Sequence, residues 1–208
     1  MTANDVTSTR AQEAVERSLR RRKDTAEAEV TRLIDAGRVL YSAGGDPQVA
    51  EIVKTAKVSI DAFYRYFGSK DEFVATVAED GASRAVDHVA ARMSRVEGPE
   101  AKLREGVAAL IHQATKPEQA AASRNILGRT GARAQTPTGR QSFTSKLAQQ
   151  LAPVLQELGS DDPGRDAALA AHSLTGYLED FVWTDTAPTQ DDVDRAAHFV
   201  LSAVRGER

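Results

Sequence analysis

The chain contains no cysteine among its 208 residues. That excludes disulfides, thiolate metal sites and thiol redox sensing, so any metal would have to be held by histidine and carboxylates. The four histidines, His88, His112, His172 and His198, do not pair at metal-ligand spacing, and neither a metal nor another cofactor is expected. Long hydrophobic runs are missing as well. Nothing approaches the roughly 20 uninterrupted apolar residues needed to span a bilayer, and the N-terminus lacks the apolar run of a signal peptide. A cytoplasmic protein without a membrane partner is the expectation. There is no phosphate-binding glycine loop, no nucleophile elbow and no acid pair with supporting chemistry, so enzymatic activity is not expected. Sustained period-two alternation, the signature of strands, is also lacking.

What is present is charge, unevenly placed. The net charge of -3 hides an asymmetry: residues 10 to 70 carry 12 Lys or Arg against 9 Asp or Glu, a net of +3, and the remainder carries 15 against 21, a net of -6. The N-terminal third is the part suited to a polyanion.

Helical spacing accounts for the rest. Residues 10 to 24 are dense in charge with few apolar anchors and read as a frayed arm or a solvated helix. From Thr25 the spacing of Val30, Leu33, Ile34 and Leu40 predicts a helix to Ala43, stopped by Gly44 and Gly45. Asp46 and Pro47 read as the cap and first residue of a short helix ending near Thr55. Ser59 can cap a third helix running to about Tyr66, with Gly68 ending it. Ser69 and Glu72 form a capping box that opens a fourth helix reaching toward Val96. Later helices are announced by Pro99, Pro117, Pro137, Pro163 and a cap over Thr189 to Asp192. The expected fold is all-α with about nine helices. It divides into a flexible basic arm (1–23) and two helical units, 24–69 and 70–208.

Two short helices joined by a tight turn, the second rich in aromatic and polar residues, fit the geometry of a major-groove reader. Phe63 and Phe67, four apart, share a face with Ile52 and Val58 and read as core. Tyr64, Arg65 and Tyr66 are suited to phosphate contacts, the alternative being amphipathic surface packing. Lys70 adds charge to a helix N-terminus already able to hold an anion. Ser59, Ile60, Asp61 and Ala62 occupy the first turn of the reader: Asp61 can accept from cytosine N4, and Ile60 or Ala62 can touch a thymine methyl. Alternatively, Asp61 simply stabilises the helix N-terminus. Within the run Arg20-Arg21-Arg22-Lys23, Arg21, Arg22 and Lys23 are candidate contacts to the DNA backbone or minor groove, with a solvated charge run as the alternative.

The run Val58 to Phe73 closely resembles the TetR family of bacterial transcriptional regulators, over roughly residues 25 to 75. It departs from the family pattern at Lys57, where glycine is usual, and a residue forced there to positive φ would cost roughly 1 kcal/mol. The Gly44–Pro47 loop is also shorter than usual, which bears on the register of Gln48, a further candidate contact. The resemblance implies a three-helix helix-turn-helix DNA-binding domain over 24–69, a helical ligand-binding and dimerisation domain over 70–208, a homodimer on a palindromic operator and a small-molecule pocket between the middle helices. Met93, Ile111, Phe143, Leu147, Leu151 and Tyr177 are candidates for an apolar pocket, each equally readable as plain core. The polar stretch from Thr115 to Gln141 could gate it. Residues 167 to 178 carry no charge and need cover on both sides. Leu174, Gly176, Val193, Ala197, Val200 and Leu201 are the candidate dimer-interface residues. The functional expectation is a repressor released from DNA by an apolar ligand. The alternative is a helical small-molecule or protein-binding module that no longer reads specific DNA.

Overall fold

The computed structural model describes residues 3–115 and 139–205. Among these there are eight α-helices, one turn of 3-10 helix and no strand. The helices are α1 (Ala3–Ser42), α2 (Val49–Ala56), α3 (Ile60–Tyr66), α4 (Lys70–Met93), α5 (Pro99–Ile111), α6 (Gly139–Glu157), α7 (Pro163–Thr184) and α8 (Gln190–Arg205). The 3-10 turn, His112–Thr115, continues α5. The all-α reading stands. Pro117, Pro137 and most of the Thr115–Gln141 stretch lie outside the described residues.

The N-terminal charged stretch continues α1. Of the two forms expected for residues 10 to 24, arm or solvated helix, the structure has the helix. Residues 10 to 25 are exposed throughout, so tertiary packing does not hold this segment. Its composition does: no glycine or proline interrupts it, and Glu13–Arg17 and Lys23–Glu27 are i, i+4 ion pairs.

Local chemistry sets the other boundaries. Asp46 does not cap α2. The helix begins later, with Gln48 as N-cap, and the Gln48 N–H donates to Glu51 Oε2 at 2.7 Å. The pattern S/T/D/N-x-x-E misses this cap because glutamine fills the first place. Lys57 ends α2 at φ 54°, ψ 46°, the left-handed conformation that glycine would adopt without strain. Ser59 caps α3 by accepting from the Ala62 N–H, and Ser69 caps α4 by accepting from the Glu72 N–H. Pro99 and Pro163 occupy the first helical positions of α5 and α7, where a missing N–H costs nothing.

Two cores form. The first gathers Leu33, Ala36 and Tyr41 of α1, Ile52, Val53 and Ala56 of α2, Phe63 and Phe67, and Phe73, Val74 and Val77 of α4. It therefore takes in two turns of α4 beyond the boundary placed at residue 69. The second core starts at Ala82 and includes Val86, Val89 and Met93 before continuing through α5 to α8. Helix α4 thus belongs to both. Gly37 lets α1 and α4 approach: a Cβ there would stand 2.7 Å from Phe73 Cζ and 2.9 Å from Val77 Cγ2.

Candidate nucleic-acid interface

Helix α3 is short enough for its two faces to be read residue by residue. At roughly 100° per residue, positions 60, 61, 64 and 65 fall on one half of the circumference and 62, 63, 66 and 67 on the other. Burial follows this division. Ser59, Ile60, Asp61, Tyr64 and Arg65 are exposed, with Ile60 48% and Tyr64 53% accessible. On the opposite side Phe63 and Phe67 are buried as expected, and the rings of Phe63, Phe67 and Phe73 stand 5.1–5.4 Å apart, centroid to centroid. Tyr64 packs edge-on against Phe63 at 5.2 Å, which orients its ring while leaving the hydroxyl end outside.

Ala62 requires a correction. It is 2% exposed and faces the core, so it presents no methyl to a thymine. Four consecutive residues wrap around an entire helical turn, and the first turn of a reader cannot show all of them to one groove.

Tyr66 is half-buried, and its hydroxyl donates to Glu29 Oε2 on α1 at 2.6 Å. The same carboxylate lies 3.5 Å from Arg65 Nη2, and the Arg65 guanidinium stands 5.1 Å from the Tyr66 ring centroid. The hydrogen bond to Glu29 leads the causes that raise the Tyr66 pKa above its ordinary value, so the phenol stays protonated. Lys70, at the start of α4, is ion-paired with Asp46. Tyr66 and Lys70, both expected phosphate contacts, are therefore already engaged by carboxylates, and Arg65 shares the Glu29 carboxylate. The partners lie 37 and 24 positions away in the chain, which is why local patterns do not find them. Gln48 is exposed at the start of α2.

Beside α3 lies a groove of about 830 Å³, bounded by the middle of α1 and the end of α3. Ala14, Arg17, Ser18, Arg21, Arg22, Thr25, Ala26, Glu29, Arg65 and Tyr66 line it. Lys23 is exposed and paired with Glu27 at 3.7 Å, outside that lining.

The candidate pocket residues Met93, Ile111, Phe143, Leu147 and Leu151 pack in the second core, with Tyr177 against its edge. Tyr177 does not offer a spare polar group inward: its hydroxyl donates to Asp192 Oδ1 at 2.9 Å. Asp192 also receives the backbone N–H and hydroxyl of Thr189, at 2.8 and 2.6 Å, completing the cap of α8.

Most of the candidate dimer residues also need correction. Leu174, Val193, Ala197, Val200 and Leu201 are buried inside the protomer's own second core. Only Gly176 lies on an accessible stripe. It sits seven residues from both Leu169 and Trp183, which are 62% and 52% exposed, and a Cβ added to it would meet nothing within 4 Å. Phe199 of α8 is 59% exposed. The amphipathic period marked the inward stripe, whereas the outward one is sparser and easily passed over.

Against this geometry, residues 33–77 match the family model described as bacterial regulatory proteins, tetR family. The match is confined to this N-terminal unit, and over most of its length the chain shares the fold of transcriptional regulators of that kind. A transcriptional regulator from Rhodococcus sp. Rha1 superimposes with a TM-score of 0.62 at 22% identity, over 85% of this chain and 96% of that one. A TetR-family transcriptional regulator from Streptomyces coelicolor gives 0.56 at 18% identity, over 86% and 98%. RolR in complex with its ligand resorcinol gives 0.60 at 17% identity, over 87% and 89%. Among curated proteins none matches the chain in sequence.

Proposed function

We propose that the chain is a homodimeric regulator of transcription whose α3 reads a palindromic operator and whose second domain releases DNA when it takes up a small apolar molecule. The observation that carries this reading is the two-sided α3: Ile60, Asp61, Tyr64 and Arg65 outward and phenylalanine inward, within a unit of the tetR family. Ser59, Ile60 and Asp61 stand at the end of the helix that enters the groove and contact bases. Gln48, Tyr64, Arg65 and Lys70, with Arg21, Arg22 and Lys23 of α1, contact the backbone, and Tyr66, its hydroxyl held by Glu29, positions Arg65 beside its ring.

A second copy fits the stripe of Leu169, Gly176 and Trp183 with Phe199 beside it. Three large apolar side chains left in water favour association, and the uncovered glycine allows a close helix approach. The apolar ligand would enter among the second-core side chains around Met93, Phe143 and Leu151. The resorcinol-bound fold relative supports such a site by analogy.

Selection of bound duplexes from a random pool, followed by footprinting at stated salt, tests the reading. Enrichment of an inverted repeat is expected, and a subsequent screen of small aromatic and aliphatic compounds should find one that releases it. The rival, a helical binding module that no longer reads DNA, predicts no enriched sequence and only salt-sensitive, sequence-independent binding.

A further inference from the structure

The groove between α1 and the end of α3 joins four guanidinium groups, Arg17, Arg21 and Arg22 from successive turns of α1 and Arg65 from α3. One carboxylate, Glu29, faces them from the same wall, where it already engages Arg65 and the Tyr66 hydroxyl. Arg21 and Arg22 have no carboxylate partner among the described residues, and Arg17 has only an exposed pair with Glu13 at 3.8 Å. Such a concentration of cations repels itself unless an anion occupies the space between. The small side chains Ala14 and Ser18 leave that space open.

We infer that this groove is a second DNA-backbone site, which takes phosphates of the duplex flanking the bases read by α3, with Glu29 as its built-in competing anion. Guanidinium forks match phosphate oxygens in pairs, and a phosphodiester chain offers a line of anions along a helix. In the DNA-free protein Glu29 fills one anion position. On binding, Arg65 exchanges that carboxylate for a phosphate while Tyr66 keeps its hydrogen bond to Glu29. This deepens the DNA-reading proposal above and rests on it.

The test uses the full chain and two duplexes carrying the selected repeat. One ends at the outermost protected base and the other extends by about one helical turn, roughly 10 base pairs, on each side. Anisotropy titrations over a range of salt give affinity and salt slope. The wild-type protein should bind the extended duplex at least about tenfold more tightly, and the combined variant Arg17→Gln, Arg21→Gln and Arg22→Gln should lose that difference. Its slope on the extended duplex should be shallower by about 0.9 for each phosphate contact removed. Glutamine is a good helix former at exposed sites, and circular dichroism verifies that α1 persists. Glu29→Gln, which can still accept the Tyr66 hydrogen bond, should bind the extended duplex several-fold more tightly with a steeper slope. Equal binding of the two duplexes by the wild type overturns the inference, as does a wild-type slope in the triple variant. Weaker binding by Glu29→Gln overturns Glu29 as the competing anion and makes it a mere buttress of α3. Failure to enrich any sequence would instead reject the DNA-reading proposal itself.

Discussion

Gly37 of α1 faces Phe73 of α4 so closely that an added Cβ would lie 2.7 Å from the ring. The contact is with the edge of a buried aromatic that is itself wedged against Phe63 and Phe67, so it cannot yield cheaply. Alanine improves helix propensity by up to about 1 kcal/mol at such a position, but the overpacking costs about 1–3 kcal/mol. Gly37→Ala should therefore lower the denaturation midpoint, and the added change Phe73→Leu should recover part of the loss. A midpoint at or above wild type would show that the crossing tolerates a methyl group.

Lys57 carries the opposite opportunity. Its side chain is exposed, and its backbone sits in the left-handed region at φ 54°. Replacing it with glycine removes a strain of about 1 kcal/mol, which for a chain of this size corresponds to a rise in Tm of about 2–4 °C. Lys57→Ala, which keeps the Cβ, should give no comparable gain. Differential scanning calorimetry distinguishes the two variants.

The ion pair of Asp46 with Lys70 is a restraint on Lys70 that DNA must compete with. Asp46→Asn should tighten binding to a mixed-sequence duplex several-fold and steepen the salt slope by about 0.9 per protomer. Because the gain comes through the backbone, it should reduce the preference for the selected repeat over other DNA. Affinity unchanged at low salt would mean that Lys70 does not reach a phosphate.

Dimerisation should depend on outward rather than inward residues of α7 and α8. Phe199→Glu and Trp183→Glu each place a charge where a second copy would have to bury it, so both should shift the sedimentation profile toward monomer with little loss of helix signal. A profile unchanged in both variants would move the interface elsewhere.

Asp192 supplies a pH test. The hydroxyl of Thr189 first, then its backbone N–H and the Tyr177 hydroxyl, hold the carboxylate in its charged form and depress its pKa. A folded pKa below the unfolded one stabilises the protein at pH above the unfolded value, near 4, and that stabilisation is lost as the pH falls through the folded value. Carboxyl NMR should place the Asp192 midpoint below the ordinary aspartate range. Thr189→Val should raise it, and Tyr177→Phe should raise it less. A midpoint indifferent to both changes would contradict the hydrogen bonding around this cap.

The parts of this molecule legible in its sequence are those governed by short range. Ser59 and Ser69 cap as their positions predict, the prolines of α5 and α7 open helices, and Phe63 and Phe67 turn inward because four residues make about one helical turn. What escaped depends on partners across the fold. Nothing near Tyr66 in the chain announces Glu29, and Lys70 gives no sign of Asp46. Inward-facing Ala62 shows a different failure: alanine itself suits either side of a helix, but the step of roughly 100° per residue places it on the half of Phe63 and Phe67, a constraint that a four-residue reading turn ignores. At α7 and α8 the sequence carries a clear apolar stripe, but burial within one protomer and burial between two present the same pattern, and Val193 and Leu201 are buried within one.

Helix α4 contributes Phe73, Val74 and Val77 to one core and Val86, Val89 and Met93 to the other. It is 24 residues of uninterrupted helix, a rod about 36 Å long at about 1.5 Å per residue. A rod anchored at both ends works as a lever. A tilt of only about 5° at the Met93 end would carry the Lys70 end about 3 Å along that length. Stacked base pairs are about 3.4 Å apart, so an adjustment in the packing around Met93 no larger than a side-chain rearrangement would displace α3 by nearly one step of the duplex.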